Sequence, residues 1–144
     1  MDTGVLGLAT NPKGIVNNAV LTWLRRLLQE GRQPIVPEIA DYELRRELIR
    51  IGSNNAIRRL DQLAVTLGYL PLDTETMQRA AALWAKSRTE GRPVAHDHAL
   101  DGDVILCAQA VLLGDSNPRD EVVIATTNVG HLIRFATAAA WQEI

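Results

Sequence analysis

Along this chain, stretches with apolar residues every three or four positions alternate with short apolar runs set between turn formers. Val20, Leu21, Leu24, Leu27 and Leu28 recur at helical spacing, and Gly31 supplies a stop. Pro34-Ile35-Val36-Pro37 is short, apolar and flanked by turn residues, so it reads as a buried strand. Leu44, Leu48 and Ile51 predict a helix over about 38–51, ended by Gly52-Ser53-Asn54. Ile57, Leu60, Leu63, Ala64 and Leu67 predict another, closed near Gly68. Tyr69-Leu70-Pro71-Leu72 is the next strand candidate, with Pro71 at its end. Asp73 or Thr74 then caps a helix carrying Met77, Ala80, Ala81 and Trp84, which Gly91-Arg92-Pro93 terminates. The most apolar helix covers 104–113 and stops at Gly114, and 121–125 is the clearest strand. A short helix and a weak strand near Trp141 follow.

Strands separated by helices imply βαβ units, hence an α/β fold with a parallel sheet covered on both faces. In such sheets the site lies beyond the carboxyl ends of the strands. That rule directs attention to Asp2-Thr3, to 37–43 and to 126–131.

Composition narrows the picture. The 144 residues suit one domain spanning 1–144, and 47% apolar with 22% charged residues excludes a disordered chain. Cys107 is the single cysteine and sits in Val104-Ile105-Leu106-Cys107-Ala108, where a buried small hydrophobe is expected rather than a nucleophile. No intrachain disulfide can form, which fits a reducing compartment. No apolar stretch approaches the roughly 20 residues a membrane span needs. Met1-Asp2-Thr3-Gly4 has no basic leader, so a cytoplasmic location is expected. A net charge of −2 leaves no global attraction for nucleic acid, so any such contact must be local. Arg45, Arg46, Arg50, Arg58 and Arg59 either line a phosphate-binding groove or form a salt-bridged helix face. Trp23, Trp84 and Trp141 lie in apolar patterns and are expected in the core.

Acidic residues cluster where the sheet rule points. Asp2 opens the chain before a Thr-Gly turn; Glu38, Asp41 and Glu43 follow the first strand; Asp97, Asp101 and Asp103 precede the apolar helix; Asn128 follows the strand at 121–125. Carboxylates that converge repel one another unless a cation neutralises them, and hard ions such as Mg²⁺ and Mn²⁺ prefer oxygen ligands. Other readings stand beside this one. Glu43 can pair with Arg46, and Glu47 with Arg50, on a helix surface. Asp101 is expected to cap the 104–113 helix, with Asp103 near its positive end. His96-Asp97-His98 with Asp101, and His131 elsewhere, offer a zinc alternative.

Four segments together resemble a known family. Asp2-Thr3-Gly4-Val5-Leu6, Tyr42-Glu43-Leu44, Asp103-Val104-Ile105-Leu106-Cys107-Ala108-Gln109-Ala110 and Ala125-Thr126-Thr127-Asn128-Val129-Gly130-His131-Leu132 are similar, in order, to the motifs of PIN domains. These include the VapC-type toxin ribonucleases. The resemblance implies a PIN-like three-layer fold, a mostly parallel central sheet flanked by helices. It implies Asp2, Glu43 and Asp103 as ligands of Mg²⁺ or Mn²⁺, with Asn128 in the fourth catalytic position, where aspartate is common. His131 stands where an acid is often found. The function so implied is a metal-dependent endoribonuclease that hydrolyses RNA phosphodiester bonds, the toxin of a toxin–antitoxin pair. Its partners would be RNA, an antitoxin protein and a second copy in a homodimer. The alternatives are a catalytically weak RNA- or protein-binding module of the same type, and a zinc-dependent hydrolase. The family pattern also places an apolar strand before the first aspartate. Only Met1 stands there, so the natural start is expected a few residues upstream, and a mobile charged α-amino group is expected beside Asp2.

Overall fold

A computed structural model of the chain describes residues 1–11, 15–89 and 100–144. Most of these are helical: α1 (Thr3–Thr10), α2 (Ile15–Gln29), α3 (Glu38–Arg50), α4 (Asn54–Leu67), α5 (Thr74–Thr89), α6 (Leu100–Ser116) and α7 (Val129–Leu132). The strands are β1 (Val36–Pro37), β2 (Tyr69–Leu70), β3 (Ile124–Thr126) and β4 (Ala138–Ala140), and a 3-10 turn covers Trp141–Glu143. β1 pairs with β2 in parallel, Val36 opposite Tyr69, and β3 pairs with β4 in parallel, Ile124 opposite Ala138. Parallel pairing across intervening helices agrees with the expected α/β organisation. Among the described residues, however, the strands form two separate pairs rather than one central sheet. Proline accounts for part of this brevity. Pro37 has no N–H to extend the ladder, and α3 starts at the next residue; Pro71 follows β2 directly.

The chain divides into two compact units, Met1–Pro71 and Leu72–Ile144. In the first, α1 packs against α2, α3 and α4. Its core includes Val5 and Leu6 from α1, Val20, Trp23, Leu24 and Leu27 from α2, and Leu44, Leu48 and Leu60 beyond. Leu28, expected on the same stripe, is exposed. Asn17 of α2 donates from Nδ2 to the carbonyls of Leu8 and Ala9 (2.9 Å each), satisfying the open end of α1. Gly52 (φ 68°) and Gly68 (φ 104°) turn the chain after α3 and α4 in a region that side chains with a Cβ disfavour. Both stops were expected.

A charged network ties α3 to α4 and β2. Asp41, only 7% exposed, accepts from Arg45 Nη2 (2.9 Å) and Nε (3.1 Å) and from the Tyr69 hydroxyl (3.1 Å). Arg45 Nη2 also reaches Asp61 on α4 at 2.8 Å. Asp41, placed among the candidate acids by sequence, is thus neutralised by its own unit. A buried carboxylate is costly unless paired in this way.

In the second unit α5 packs on α6, with Ala80, Val104 and Ala108 buried together and Leu83, Ile105 and Phe135 against them. Asp73 caps α5 through a 2.7 Å bond from the Thr76 amide. The buried face of α5 runs through Thr76, Ala80 and Ser87, not through Met77, Ala81 and Trp84, which are exposed. The expectation of a buried Trp84 is therefore corrected, whereas Trp23 and Trp141 are buried. α6 already includes Asp101, and it continues through Gly114 to Ser116. The strand expected at 121–125 sits at 124–126. Gly91-Arg92-Pro93 lies outside the described residues.

Burial, then the charge of Asp41, pushes the Tyr69 phenol up from its usual 10 to about 12. A folded-state value above the unfolded one stabilises the fold fully below pH 10, and this stabilisation is lost as pH rises towards 12. Urea unfolding should therefore show wild type losing more stability than Tyr69→Phe between those limits. At pH 7 the variant should be less stable by about 1 kcal/mol, the worth of a partly exposed hydrogen bond. Equal stability at pH 7 would mean that the hydroxyl does not help to tie β2 to α3.

Candidate functional site

The first candidate acid serves the backbone of a helix that sequence reading missed. Asp2 has extended backbone angles (φ −79°, ψ 173°) and is the N-cap of α1, accepting from the Val5 amide at 2.7 Å. The expected Thr-Gly turn is the first turn of this helix. Asp is a preferred cap because its oxygen satisfies an amide that has no partner within the helix. The next residue, Thr3, donates from Oγ1 to Glu43 Oε2 at 2.6 Å, spanning forty positions of sequence. One helix start thereby places Asp2 and tethers Glu43, whose own helix α3 begins at the carboxyl end of β1. Glu43 does not pair with Arg46, whereas Glu47 does pair with Arg50 (Nε–Oε2 2.8 Å). Glu43 presents Oε2 to Thr3 and makes no other hydrogen bond among the described residues.

The α-amino group of Met1 is held by a backbone carbonyl. It donates to the Ile35 carbonyl at 3.3 Å, and burial pushes its pKa down to about 6 although the charge of Asp2 pulls it up.

Asp103 and Asn128 belong to the second unit. Asp103 is the fourth residue of α6, where a carboxylate interacts favourably with the helix dipole. One turn on, Cys107 is fully buried with Sγ 3.8 Å from the Leu132 carbonyl. Burial, then the charge of Asp103, pushes its thiol up from 9 to about 12, so it stays protonated and packs as the expected small hydrophobe. Asn128 follows β3 and caps α7, its Oδ1 accepting from the Gly130 amide at 3.3 Å. The backbone N–H of Asn128 donates to Thr126 Oγ1 at 2.9 Å. Thr126 is fully buried and shapes this turn. His131 lies in the last turn of α7.

The candidate set therefore divides. Thr3, the neighbour of Asp2, is bonded to Glu43 in the first unit, and Asp103 and Asn128 stand in the second. Among the described residues no group of three or more His, Cys, Asp or Glu side chains is placed to hold a metal ion. His96, Asp97 and His98 lie outside the described residues. Asp2 and Glu43 each carry oxygen donors of the kind Mg²⁺ takes, with water or phosphate completing its octahedron. Thr3 is the residue that motif reading underused. Its signal was a hydroxyl directly after a capping aspartate.

The basic stretch resolves only in part into a salt-bridged face. Arg45 and Arg50 are paired as described, and Arg58 bonds to Asn55. Arg46 instead lies over the Tyr42 ring, 5.5 Å from its centroid. Among the described residues no helix is long and apolar enough to cross a membrane.

Cap and ligand roles of Asp2 can be separated. Asn caps as well as Asp, so Asp2→Asn should change unfolding free energy by only a few tenths of a kcal/mol, whereas Asp2→Ala should cost about 1 kcal/mol. If Asp2 also binds metal, calorimetry will show weaker Mn²⁺ binding in the Asn variant than in wild type; unchanged binding confines Asp2 to the cap. Cys107 should ignore a thiol reagent at pH 8 in the native protein and react once guanidinium unfolds it, and prompt native reaction would contradict its burial. No family model, curated protein or solved structure matches this chain.

Proposed function

We propose that the chain is a PIN-type, divalent-metal-dependent endoribonuclease acting on RNA phosphodiester bonds, and that it is the toxin of a toxin–antitoxin pair. What supports this most is the Thr3–Glu43 hydrogen bond, which joins the first motif of the resemblance to the second across forty residues. In this proposal Asp2, Glu43 and Asp103 supply oxygen ligands to Mg²⁺ or Mn²⁺. When bound, such an ion polarises a phosphodiester and lowers the pKa of water. Thr3 fixes the rotamer of Glu43, and Asn128 orients water or phosphate through its amide nitrogen, since its oxygen serves α7. A three-layer PIN-like arrangement with one mostly parallel sheet, a cytoplasmic location, an antitoxin partner and a homodimer are parts of the same proposal.

A second reading has one observation behind it. Asn128 carries no charge, and its oxygen already caps a helix. That favours a catalytically weak module that binds RNA or a protein.

The test is cleavage of a mixed RNA pool by the purified chain. Activity should require Mg²⁺ or Mn²⁺ and be abolished by Asp103→Asn, which keeps shape and removes charge. Metal-independent RNA binding without cleavage would select the weak module. Activity with Zn²⁺ alone, lost in His96→Ala and His98→Ala, would select the zinc hydrolase. Asn128→Asp preserves the cap and adds a carboxylate, so Mn²⁺ binding should tighten; unchanged or weaker binding would place residue 128 outside the metal shell.

A further inference from the structure

The outer side of α3 carries an aromatic ring and a cation that the fold of the first unit does not use. Tyr42 is 57% exposed, and its hydroxyl makes no hydrogen bond among the described residues. Arg46, one turn on, has its guanidinium carbon 5.5 Å from the centroid of that ring. The three arginines of α3 differ in what holds them. Arg45 is bound to Asp41 and Asp61, and Arg50 to Glu47. Arg46 makes no salt bridge among the described residues. Burying an aromatic ring is favourable, so a largely exposed tyrosine held beneath a cation on a helix face is more consistent with contact to a ligand than with packing.

Tyr42 directly precedes Glu43. Consecutive helical residues lie about 3.8 Å apart at Cα and project about 100° from each other. A strand whose phosphate lay by Glu43 would thus carry a neighbouring nucleotide past the ring. The chemistry matches such a ligand, since a nucleobase stacks on an aromatic face whatever its sequence and a guanidinium takes the attached phosphate.

We infer that Tyr42 and Arg46 form a platform on α3 for one unpaired base of single-stranded RNA and its phosphate, beside Glu43. This rests on the ribonuclease reading for its choice of ligand, but not for its geometry. The platform grips a nucleotide next to the one cleaved and selects unpaired strands, because a base inside a duplex is already stacked on its neighbours.

The experiment measures anisotropy of a labelled, mixed-sequence single-stranded RNA with the full chain in EDTA, so that binding is read without cleavage. Tyr42→Ala should weaken binding on the order of tenfold, and Tyr42→Phe, which keeps the ring, by less than about twofold. Arg46→Ala should lower the slope of log affinity against log salt by about 0.7, the share of one phosphate contact on a single strand. Circular dichroism checks folding; should Tyr42→Ala fail to fold, the Phe variant and the salt slope of Arg46→Ala carry the test. Wild-type binding that neither substitution changes overturns the platform and leaves the ribonuclease reading standing. Absence of wild-type binding also overturns it. Loss of binding in the variants together with no Mn²⁺-dependent cleavage by wild type supports the platform and sinks the nuclease. Ile49, exposed further along α3, makes a contact between copies the competing outcome. Variants that shift sedimentation from dimer to monomer while binding RNA normally overturn the proposal in its favour.

Discussion

The hydrogen bond from Thr3 to Glu43 constrains the first unit more than its length of 2.6 Å suggests. It joins the amino end of α1 to the side of α3, and the residue beside it, Asp2, closes the first turn of α1. Bonds to an ionised carboxylate are short and roughly twice as strong as neutral ones. This one is partly buried, where water competes less well. The direction of α1 is fixed at its other end by Asn17, which satisfies the Leu8 and Ala9 carbonyls. A helix held at both ends by polar side chains can carry two glycines and still form. The apolar faces of Val5 and Leu6 then pack inward without deciding where the acids stand.

The same helix shows why part of the site was hidden in the sequence. Thr-Gly-Val-Leu-Gly-Leu-Ala-Thr has two glycines and no clean apolar period, so local propensity reads as a turn. Tertiary contacts overrode it. The bounds of α3 and the end of α4 were legible nearly to the residue, because each combines an apolar stripe with a glycine whose positive φ follows it, although Ile51, read on the stripe of α3, is exposed. α5 was placed correctly but rotated in the reading. Met77 and Trp84 looked like core residues by type, whereas it is the small side chain of Ala80 that packs against Val104 and Ala108 of α6. Strand lengths were overestimated, since an apolar run such as 121–125 does not say where pairing partners begin.

The site was legible as a list of residues and less so as an arrangement. Motif order singled out Asp2, Glu43, Asp103 and Asn128, and the folded chain gives each a local duty as well. Asp2 and Asn128 cap helices, Asp103 sits near a positive helix end, and Glu43 accepts a hydroxyl. Duties of this kind are compatible with ligation, because a carboxylate has more than one lone pair to offer. They are also a reason for such residues to occur where no ligand binds. Charge-neutral substitutions that preserve the cap therefore discriminate better here than alanine does.

Charge on α3 is arranged so that an acidic protein can still offer a cation. The net charge of −2 gives no long-range pull on RNA. Locally, Asp41 and Asp61 absorb Arg45, and Glu47 absorbs Arg50. These pairs compensate positive charge that would otherwise spread along the helix. They leave Arg46 as the one arginine of α3 without a salt bridge among the described residues, held against the Tyr42 ring next to Glu43. A single cation beside a carboxylate attracts a phosphate only at short range, within the screening distance of about 8–10 Å. Recognition built this way discriminates poorly at a distance and well on contact. It therefore depends on the shape of what arrives, an unpaired base with its phosphate, more than on the total charge of the strand.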